Sequence, residues 1–192
     1  LRFAIKFKYG VKKCKVGHAG TLDPLASGLL LLCTGSYTKQ IDSLQNEAKV
    51  YTGTIQLGAT TPTYDSESEP TDFKPVPEIN ELILYDVEKH FTGTIAQMPP
   101  IFSAIKIKGQ KSYDLARRGI AVDMKPRKLE IFELKLKMTD VNQVNFRVHC
   151  SKGTYVRSLA HDIGQFLGCG AYLRSLRRES IAEFSVEDAL TI

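Results

Sequence analysis

This chain of 192 residues has no tryptophan, only four cysteines and four histidines, and no long apolar run. The cysteines lie far apart without a CxxC pair, and the histidines show neither HxxxH nor HExxH spacing, so neither a zinc site nor a redox pair is indicated. The glycine-containing run at 17–28 lacks both GxGxxG and GxxxxGKS/T spacing. We therefore expect no metal, no cofactor and no membrane segment, and we expect reduced thiols in the cytoplasm.

Positive charge is concentrated in blocks, and the formal net charge is +5. Basic side chains are in excess over 1–49, 103–146 and 147–178, whereas acidic side chains are in excess over 50–102 and 179–192. Such blocks are typical of a protein that faces a polyanion, although solvated surfaces give the same pattern. The hydrophobic fraction of 43% is sufficient for a core, and the length suits one domain.

Hydrophobic periodicity predicts helices and strands in irregular order. Helices are predicted at 1–13, 38–49, 78–91, 112–118 and 154–167, the last with Gly168 as its C-cap. Strands are predicted at 29–34 (buried), 49–58, 102–108, 128–138 with a bulge near Phe132, 144–150 and 172–178. The stretch 59–77 is predicted to be a long surface loop. This order favours an α+β fold with a mixed, largely antiparallel sheet.

The run GHAGTLDPLASG at 17–28 holds one carboxylate, Asp23, between glycines and a proline. A residue before proline is biased toward an extended backbone, and nearby glycines allow positive φ or close approach of another chain. Such a loop can hold a lone acid on the floor of a cleft. Asp-Pro is also a good helix start, with Asp as N-cap and Pro at the first helical position, so this alternative stays open.

The run SKGTYVR at 151–157 places a cation near the start of a predicted helix. With Ser151 or Thr154 as the cap, Arg157 falls in the first turn, where the helix dipole disfavours positive charge. A partner carboxylate would compensate, because arginine forms bidentate bonds with carboxylates. Paired in this way, Arg157 would stabilise an ionised Asp23, whereas a solvated surface arginine is the plainer alternative.

Aromatic and basic side chains are interleaved in several segments. Tyr51 and Tyr155 stand where a ring can either fill the core or stack on an unpaired base. Between 97 and 119, Pro99-Pro100 precedes a dense basic group made of Lys106, Lys108, Lys111, Arg117 and Arg118. This segment fits either a lobe that clamps a phosphate backbone or an exposed hairpin. Further arginines, among them Arg177, lie near the end of the chain.

Five segments, taken in order, resemble the TruB family, whose members make pseudouridine at position 55 of tRNA. They are KVGHAGTLDPLASGLL (15–30), KVYTGTIQLGATTPTYD (49–65), QMPPIFSAIKIKGQKSYDLARRG (97–119), CSKGTYVRSLAHDIG (150–164) and GAYLRSLRR (170–178). The resemblance implies the α+β pseudouridine synthase fold, a curved mixed, largely antiparallel sheet flanked by helices and loops. It also implies one catalytic domain over 1–192, with a thumb-loop insertion at about 97–125 that contacts the T-arm of tRNA.

Residue by residue, the resemblance implies that Asp23 is the catalytic aspartate, that Arg157 pairs with it and that Tyr51 stacks on the target base. Three further residues would bind the flipped nucleotide or close its pocket: His18, Tyr155 and Leu176. The family's N-terminal strand with a KPxGxTS-like motif is not found, and neither is its small C-terminal PUA-type domain. We expect the first to be missing or disordered and the second to be absent.

The implied activity is isomerisation of uridine 55 in tRNA by base flipping and a single aspartate. It involves no net redox change or hydrolysis, so no cofactor is expected. The first atom that Asp23 attacks stays open, as does a role of Tyr51 in a proton shift. Two other functions stay open, a non-catalytic tRNA-binding or folding-assistance module and a glycosidase, which would need a second acid that is not evident near Asp23. We expect a monomer, since no long apolar edge requires a partner.

Overall fold

The structure is a computed structural model that describes residues 2–103, 105–107, 109–120 and 123–190, with only the backbone of Lys106, Ile107 and Lys111. The described residues form five α-helices: α1 (Arg2–Tyr9), α2 (Ile41–Asn46), α3 (Glu81–Phe91), α4 (Ser112–Arg117) and α5 (Val156–Phe166). Two 3-10 helices span Gly35–Gln40 and Val186–Asp188. The strands are β1 (Val16–His18), β2 (Ala26–Gly28), β3 (Leu32–Thr34), β4 (Lys49–Leu57), β5 (Gly93–Gln97), β6 (Lys106–Ile107), β7 (Gln110–Lys111), β8 (Arg127–Asp140), β9 (Gln143–Cys150), β10 (Ala171–Ile181) and β11 (Phe184–Ser185).

The main sheet contains seven of the described strands, in the order β11-β10-β4-β9-β8-β5, with β2 added beside β10. The β2–β10 pair is parallel and every other pair in this sheet is antiparallel. The mixed, largely antiparallel sheet predicted from the sequence is therefore confirmed. No helix in the described part of the chain is both long and apolar enough to cross a membrane.

The core lies between this sheet and helices α3 and α5, which pack on β8 and β10 respectively. Alternate residues of the strands point inward, so β-branched and aromatic side chains fill one face. The most deeply buried members include Ile55, Ile131, Val144, Val148, Leu159 and Ile163. Burial of each such side chain contributes roughly 1.5–3 kcal/mol, and this holds the two helices against the central strands.

Most of the predicted long elements are confirmed. Strands β4, β8, β9 and β10 and helices α3 and α5 lie where periodicity places them. A register shift between Ile131 and Glu133 confirms the predicted bulge at Phe132. Gly168 has φ +77° just after α5, which is the left-handed conformation expected of a C-cap glycine.

Several predictions around the shorter elements were wrong. The buried strand predicted at 29–34 is only β3, and its Leu32 is exposed, because β3 pairs with β1 in a small separate sheet. The helix predicted at 38–49 is divided into a 3-10 turn and α2, and the chain enters β4 at Lys49. Residues 104 and 108 of the strand predicted at 102–108 lie outside the described residues, and of the others only β6 is a strand. Strand β5 was missed because its short GTIAQ sequence has no clear alternation.

Strand β2 attaches the loop around Asp23 to the main sheet, and Gly28 makes this attachment possible. Gly28 has φ +99°, and a Cβ built there would lie 2.3 Å from the carbonyl oxygen of Arg178. Only glycine fits a backbone that is both left-handed and this close to another strand.

Replacing Gly28 by Ala is therefore expected to lower the free energy of unfolding by at least about 3 kcal/mol, since backbone strain and a steric clash add. Gly10→Ala is the matched control, because Gly10 also has positive φ (+63°) but nothing within 4 Å. It should cost about 1 kcal/mol in the same denaturant titration. Equal losses in the two variants would contradict the close-approach argument.

Asp162 on α5 gives the fold a predictable pH dependence. Burial raises the pKa of this carboxyl from 3.8 to about 6, because the charged form loses hydration. The folded state therefore binds the Asp162 proton more tightly than the unfolded state does. The protonated carboxyl contributes its full stability below about pH 4, and this contribution is lost as pH rises through about 6.

Asp162→Asn is expected to stabilise the protein at pH 8 by about 1–2 kcal/mol, because the neutral amide avoids this penalty, which solvent screening reduces at a partly exposed carboxyl. The advantage over the unsubstituted chain should vanish as pH falls below about 4. Urea titrations of both proteins across this range provide the measurement. A difference in stability that does not change with pH would contradict the assignment.

Candidate active site

A bidentate ion pair between Asp23 and Arg157 forms the centre of the site. Arg157 Nε donates to Asp23 Oδ2 at 2.9 Å and Nη2 donates to Oδ1 at 3.0 Å. The Arg157 side chain is 7% exposed, whereas the Asp23 side chain is 37% exposed. One side of the carboxylate is thus fixed by a buried cation, while the other side stays open to a substrate.

The loop that carries Asp23 is a turn rather than a helix start. The backbone N–H of Ala26 donates to the Asp23 carbonyl at 2.9 Å, and β2 begins at once. The prediction of a cleft loop at 17–28 is thereby favoured over the Asp-Pro helix N-terminus. Strand β2 pairs with β10 through Ala26 and Leu176, so the loop that carries the aspartate is attached to β10 at the edge of the main sheet.

Arg157 lies in the first turn of α5, as the sequence predicted, and is compensated by more than one acceptor. It also donates to the carbonyls of Thr63 and Phe102, both at 3.2 Å. A second carboxylate, Asp65, lies 3.6 Å from Nε. The sequence predicted that Arg157 would need a compensating partner at the helix N-terminus, and the structure supplies two carboxylates and two backbone carbonyls.

Asp65 is the acidic residue that the sequence analysis missed. Its side chain is 5% exposed, accepts from the Thr63 hydroxyl at 2.6 Å and accepts from the Glu67 N–H at 3.0 Å. The predicted surface loop at 59–77 is wrong at this point, because Thr61, Thr63 and Asp65 are all buried. Asp65 is a second acid near Asp23, of the kind that a glycosidase would need, but its carboxylate already accepts from the Thr63 hydroxyl and the Glu67 N–H and lies beside Arg157.

Gln97, another residue that the sequence analysis missed, fixes the N-terminus of α5. Its buried amide donates to the Tyr155 carbonyl at 3.1 Å and accepts from the Tyr155 N–H at 2.9 Å. The predicted caps were wrong: Tyr155 is the N-cap, and the Thr154 hydroxyl donates to the Ser151 carbonyl instead. A tertiary contact from β5 replaces the local cap, which is why local sequence did not reveal it.

The two tyrosines predicted for the site both lie near enough to Asp23 to feel its charge. Burial raises the pKa of Tyr51 on β4, and the charges of Cys150 and Asp23 add to the rise, whereas Arg178 opposes it. Burial also raises the pKa of Tyr155, opposed by Ser103, Arg127 and Arg157. Both phenols therefore remain protonated near neutral pH and lie within electrostatic range of Asp23.

Leu176 lies with Asp23 in one small pocket. Its other lining residues include Leu25, Ala26, Asp65 and Leu173. Leu176 itself is buried on β10. His18 is exposed at the end of β1, and in the described structure its imidazole has no hydrogen bond. The structure thus groups Asp23, Arg157, Leu176 and the two tyrosines, and among the described residues the His18 imidazole has no hydrogen bond to this group.

The basic residues predicted to contact RNA are only partly described. Lys108 lies outside the described residues, and only the backbone of Lys106 and Lys111 is described. Arg117 and Arg118 are exposed on and after α4; Arg117 lies over the Tyr113 ring, and Arg118 donates to Gln110 at 2.7 Å. Arg177 is half-exposed and pairs with Glu179 at 3.2 Å. In the described ranges no group of three or more potential ligands is arranged to hold a metal ion.

The sequence matches two family descriptions that together span nearly the whole chain. Residues 6–156 match the TruB family pseudouridylate synthase (N terminal domain), and residues 157–192 match the tRNA pseudouridylate synthase B C-terminal domain. The tRNA pseudouridine synthase B of Flavobacterium johnsoniae is 48% identical over 193 residues, which cover 100% of this chain and 84% of that protein. The protein of the same name from Phocaeicola vulgatus is 46% identical over 192 residues, which cover 100% of this chain and 82% of that protein.

Solved structures with the same fold support the match. The crystal structure of a Cbf5-Nop10-Gar1 complex aligns with a TM-score of 0.68 and 28% identity, covering 95% of this chain and 44% of that one. An H/ACA RNP bound to a substrate RNA containing 2'-deoxyuridine aligns with a TM-score of 0.63 and 26% identity, covering 95% and 43%. The chain spans less than half the length of these two chains. By its sequence over its full length, and by this fold, the chain belongs to the TruB family of pseudouridylate synthases.

Proposed function

We propose that this chain is a tRNA pseudouridine synthase that isomerises uridine 55 in the T-arm loop. The observation that carries the proposal is the partly exposed Asp23 carboxylate, held bidentate by a buried arginine in a member of a pseudouridylate synthase family. Two relatives named tRNA pseudouridine synthase B match this chain over its full length at 46–48% identity. The site therefore supports a catalytic function better than a binding function alone.

The reaction breaks the N-glycosidic bond of uridine, turns the base and rejoins it through carbon 5. Asp23 is the group that stabilises or traps the electron-poor sugar or base carbon, and Arg157 holds both carboxylate oxygens in place. Because the base never leaves the pocket and no electron or water is consumed, one reactive carboxylate is sufficient and no cofactor is needed. Tyr51 stacks on the base or serves the proton shift, and Leu176 and Tyr155 enclose it.

For Asp23 to reach the N-glycosidic bond or the uracil ring, the uridine must be flipped out of its loop. The thumb segment at about 97–125 carries exposed Arg117 and Arg118, and it is attached to the site through Phe102, whose carbonyl accepts from Arg157. We infer that this segment contacts the T-arm backbone together with Lys106, Lys108, Lys111 and Arg177. His18 would contact the flipped nucleotide.

One chain supplies all the residues invoked, so the proposed active unit is the monomer. The cytoplasm is the compartment that this function implies, and the described cysteines, which are free thiols, are compatible with a reducing compartment.

Tritium release from tRNA labelled at carbon 5 of uridine tests the proposal, because isomerisation must expel that hydrogen. The chain should release tritium in repeated turnovers without added metal or cofactor. Binding of tRNA without release would support the alternative, a non-catalytic binding or folding-assistance module, and would overturn the proposal. Free uracil among the products would instead indicate glycosidase activity.

A further inference from the structure

Arg178 on β10 is a second buried arginine near the site, and its surroundings differ from those of Arg157. Its side chain is 1% exposed. Within the described ranges no carboxylate lies within 4.0 Å of its guanidinium, whereas Arg157 has two. A buried guanidinium without a carboxylate beside it is costly unless its donors are bonded to other acceptors.

The donors of Arg178 hold both ends of the loop that carries Asp23. Nε donates to the Leu29 carbonyl at 2.7 Å, and Nη2 donates to the Gly20 carbonyl at 3.2 Å. The backbone adds a third attachment, since the Leu29 N–H donates to the Arg178 carbonyl at 2.9 Å. One residue thus closes the segment 20–29, with Asp23 inside it.

Tyr51 lies directly across from Arg178 in the β4–β10 register, so their side chains share one face of the sheet. The positive charge of Arg178 lowers the pKa of Tyr51, against the larger rise from burial. The other charged or titratable groups that face Tyr51 are Asp23 from the loop and Cys150 from β9, and both oppose ionisation. Arg178 is therefore the group that favours the charged form of Tyr51.

We propose that Arg178 is a positioning residue of this active site, which fixes the Asp23 loop at both ends and orients the Tyr51 phenol toward the same substrate. This inference rests on the proposed function, because it assigns both residues to one reaction. A guanidinium can serve both tasks at once, since its donors project in a plane toward separate acceptors. A lysine ammonium is a single point and cannot span them.

Arg178→Met and Arg178→Lys test the proposal, with Arg147→Met as the matched control. Arg147 is a half-exposed arginine on β9 that pairs with Glu133, and it has no part in the site. At saturating tRNA we expect kcat to fall about 100-fold in Arg178→Met and about 10-fold in Arg178→Lys, while the Kd for tRNA stays within about threefold. Circular dichroism shows which variants fold. If Arg178→Met does not fold, the kinetics of Arg178→Lys test the proposal.

Fluorine NMR of Tyr51 is a second measurement, which distinguishes an effect of Arg178 on Tyr51 from a general effect of Arg178 on the stability of the fold. The eight tyrosines can be replaced by fluorotyrosine, and the fluorine NMR signal that disappears in Tyr51→Phe belongs to Tyr51. Its titration midpoint should move to higher pH in Arg178→Met and should not move in Arg147→Met. A folded variant with wild-type kcat, or with an unmoved Tyr51 midpoint, would overturn the proposal. If the wild-type chain releases no tritium, the proposed function fails, yet the NMR titration still decides whether Arg178 acts on Tyr51.

Discussion

Replacing Asp23 by Asn should reduce tritium release from tRNA by at least about 10³-fold, while tRNA binding stays within a few-fold. The amide keeps the size of the carboxylate but removes its charge, so it can neither stabilise nor trap an electron-poor carbon. Binding is retained because the exposed basic residues proposed to contact the T-arm lie elsewhere. A single-turnover assay with excess enzyme and a filter-binding titration measure the two quantities separately.

Asp86→Asn is the matched control for Asp23→Asn, since Asp86 is exposed on α3 and outside the site. It should release tritium at the wild-type rate. Substantial release from Asp23→Asn would remove Asp23 from the mechanism. Loss of tRNA binding in Asp23→Asn would mean that this aspartate organises the RNA-binding surface instead.

Replacing Arg157 by Met should have two separate effects. Turnover should collapse by at least about 10²-fold, because Asp23 loses both hydrogen bonds that orient it. Stability should fall by about 3–5 kcal/mol, because Asp65 is left as a buried charge without its cation. Tritium release and urea unfolding measure the two effects in the same preparation.

The double variant Arg157→Met/Asp65→Asn separates these effects. Removing the second charge should restore much of the lost stability, whereas turnover should stay low because Asp23 is still unpaired. Recovery of turnover along with stability would show that Arg157 acts only through the fold. A loss confined to tRNA binding would make Arg157 a phosphate contact.

Part of the site could be predicted from the sequence because the residues next to it in the chain constrain its conformation or its charge. Asp23 lies between glycines and a proline, and Arg157 lies at the end of a helix where a cation needs compensation. Those two features left an ion pair open as one alternative and the family resemblance implied it, and the structure contains it across a separation of 134 residues. The strands β4, β8 and β9 were predictable for a similar reason, since their alternation reflects one buried face.

The residues that were missed have no neighbours in the sequence that indicate a functional role. Asp65 and Gln97 look like ordinary polar residues in a loop and at a strand end, and each acquires its role only when α5 packs against it. Arg178 lies in an arginine-rich run that the sequence analysis added to the basic segments, yet it is among the most buried side chains. Partners of this kind are fixed by tertiary packing, which a single sequence does not display.

The central claim is that this chain isomerises one uridine of tRNA at Asp23, and position-specific labelling tests it most directly. A tRNA is prepared with tritium only at carbon 5 of uridine 55, beside a matched tRNA labelled only at another uridine. The account predicts release of about one equivalent per tRNA from the first substrate, none from the second, and none from either with Asp23→Asn. Equal release from both substrates, or no release from a wild-type complex that binds tRNA, would contradict it.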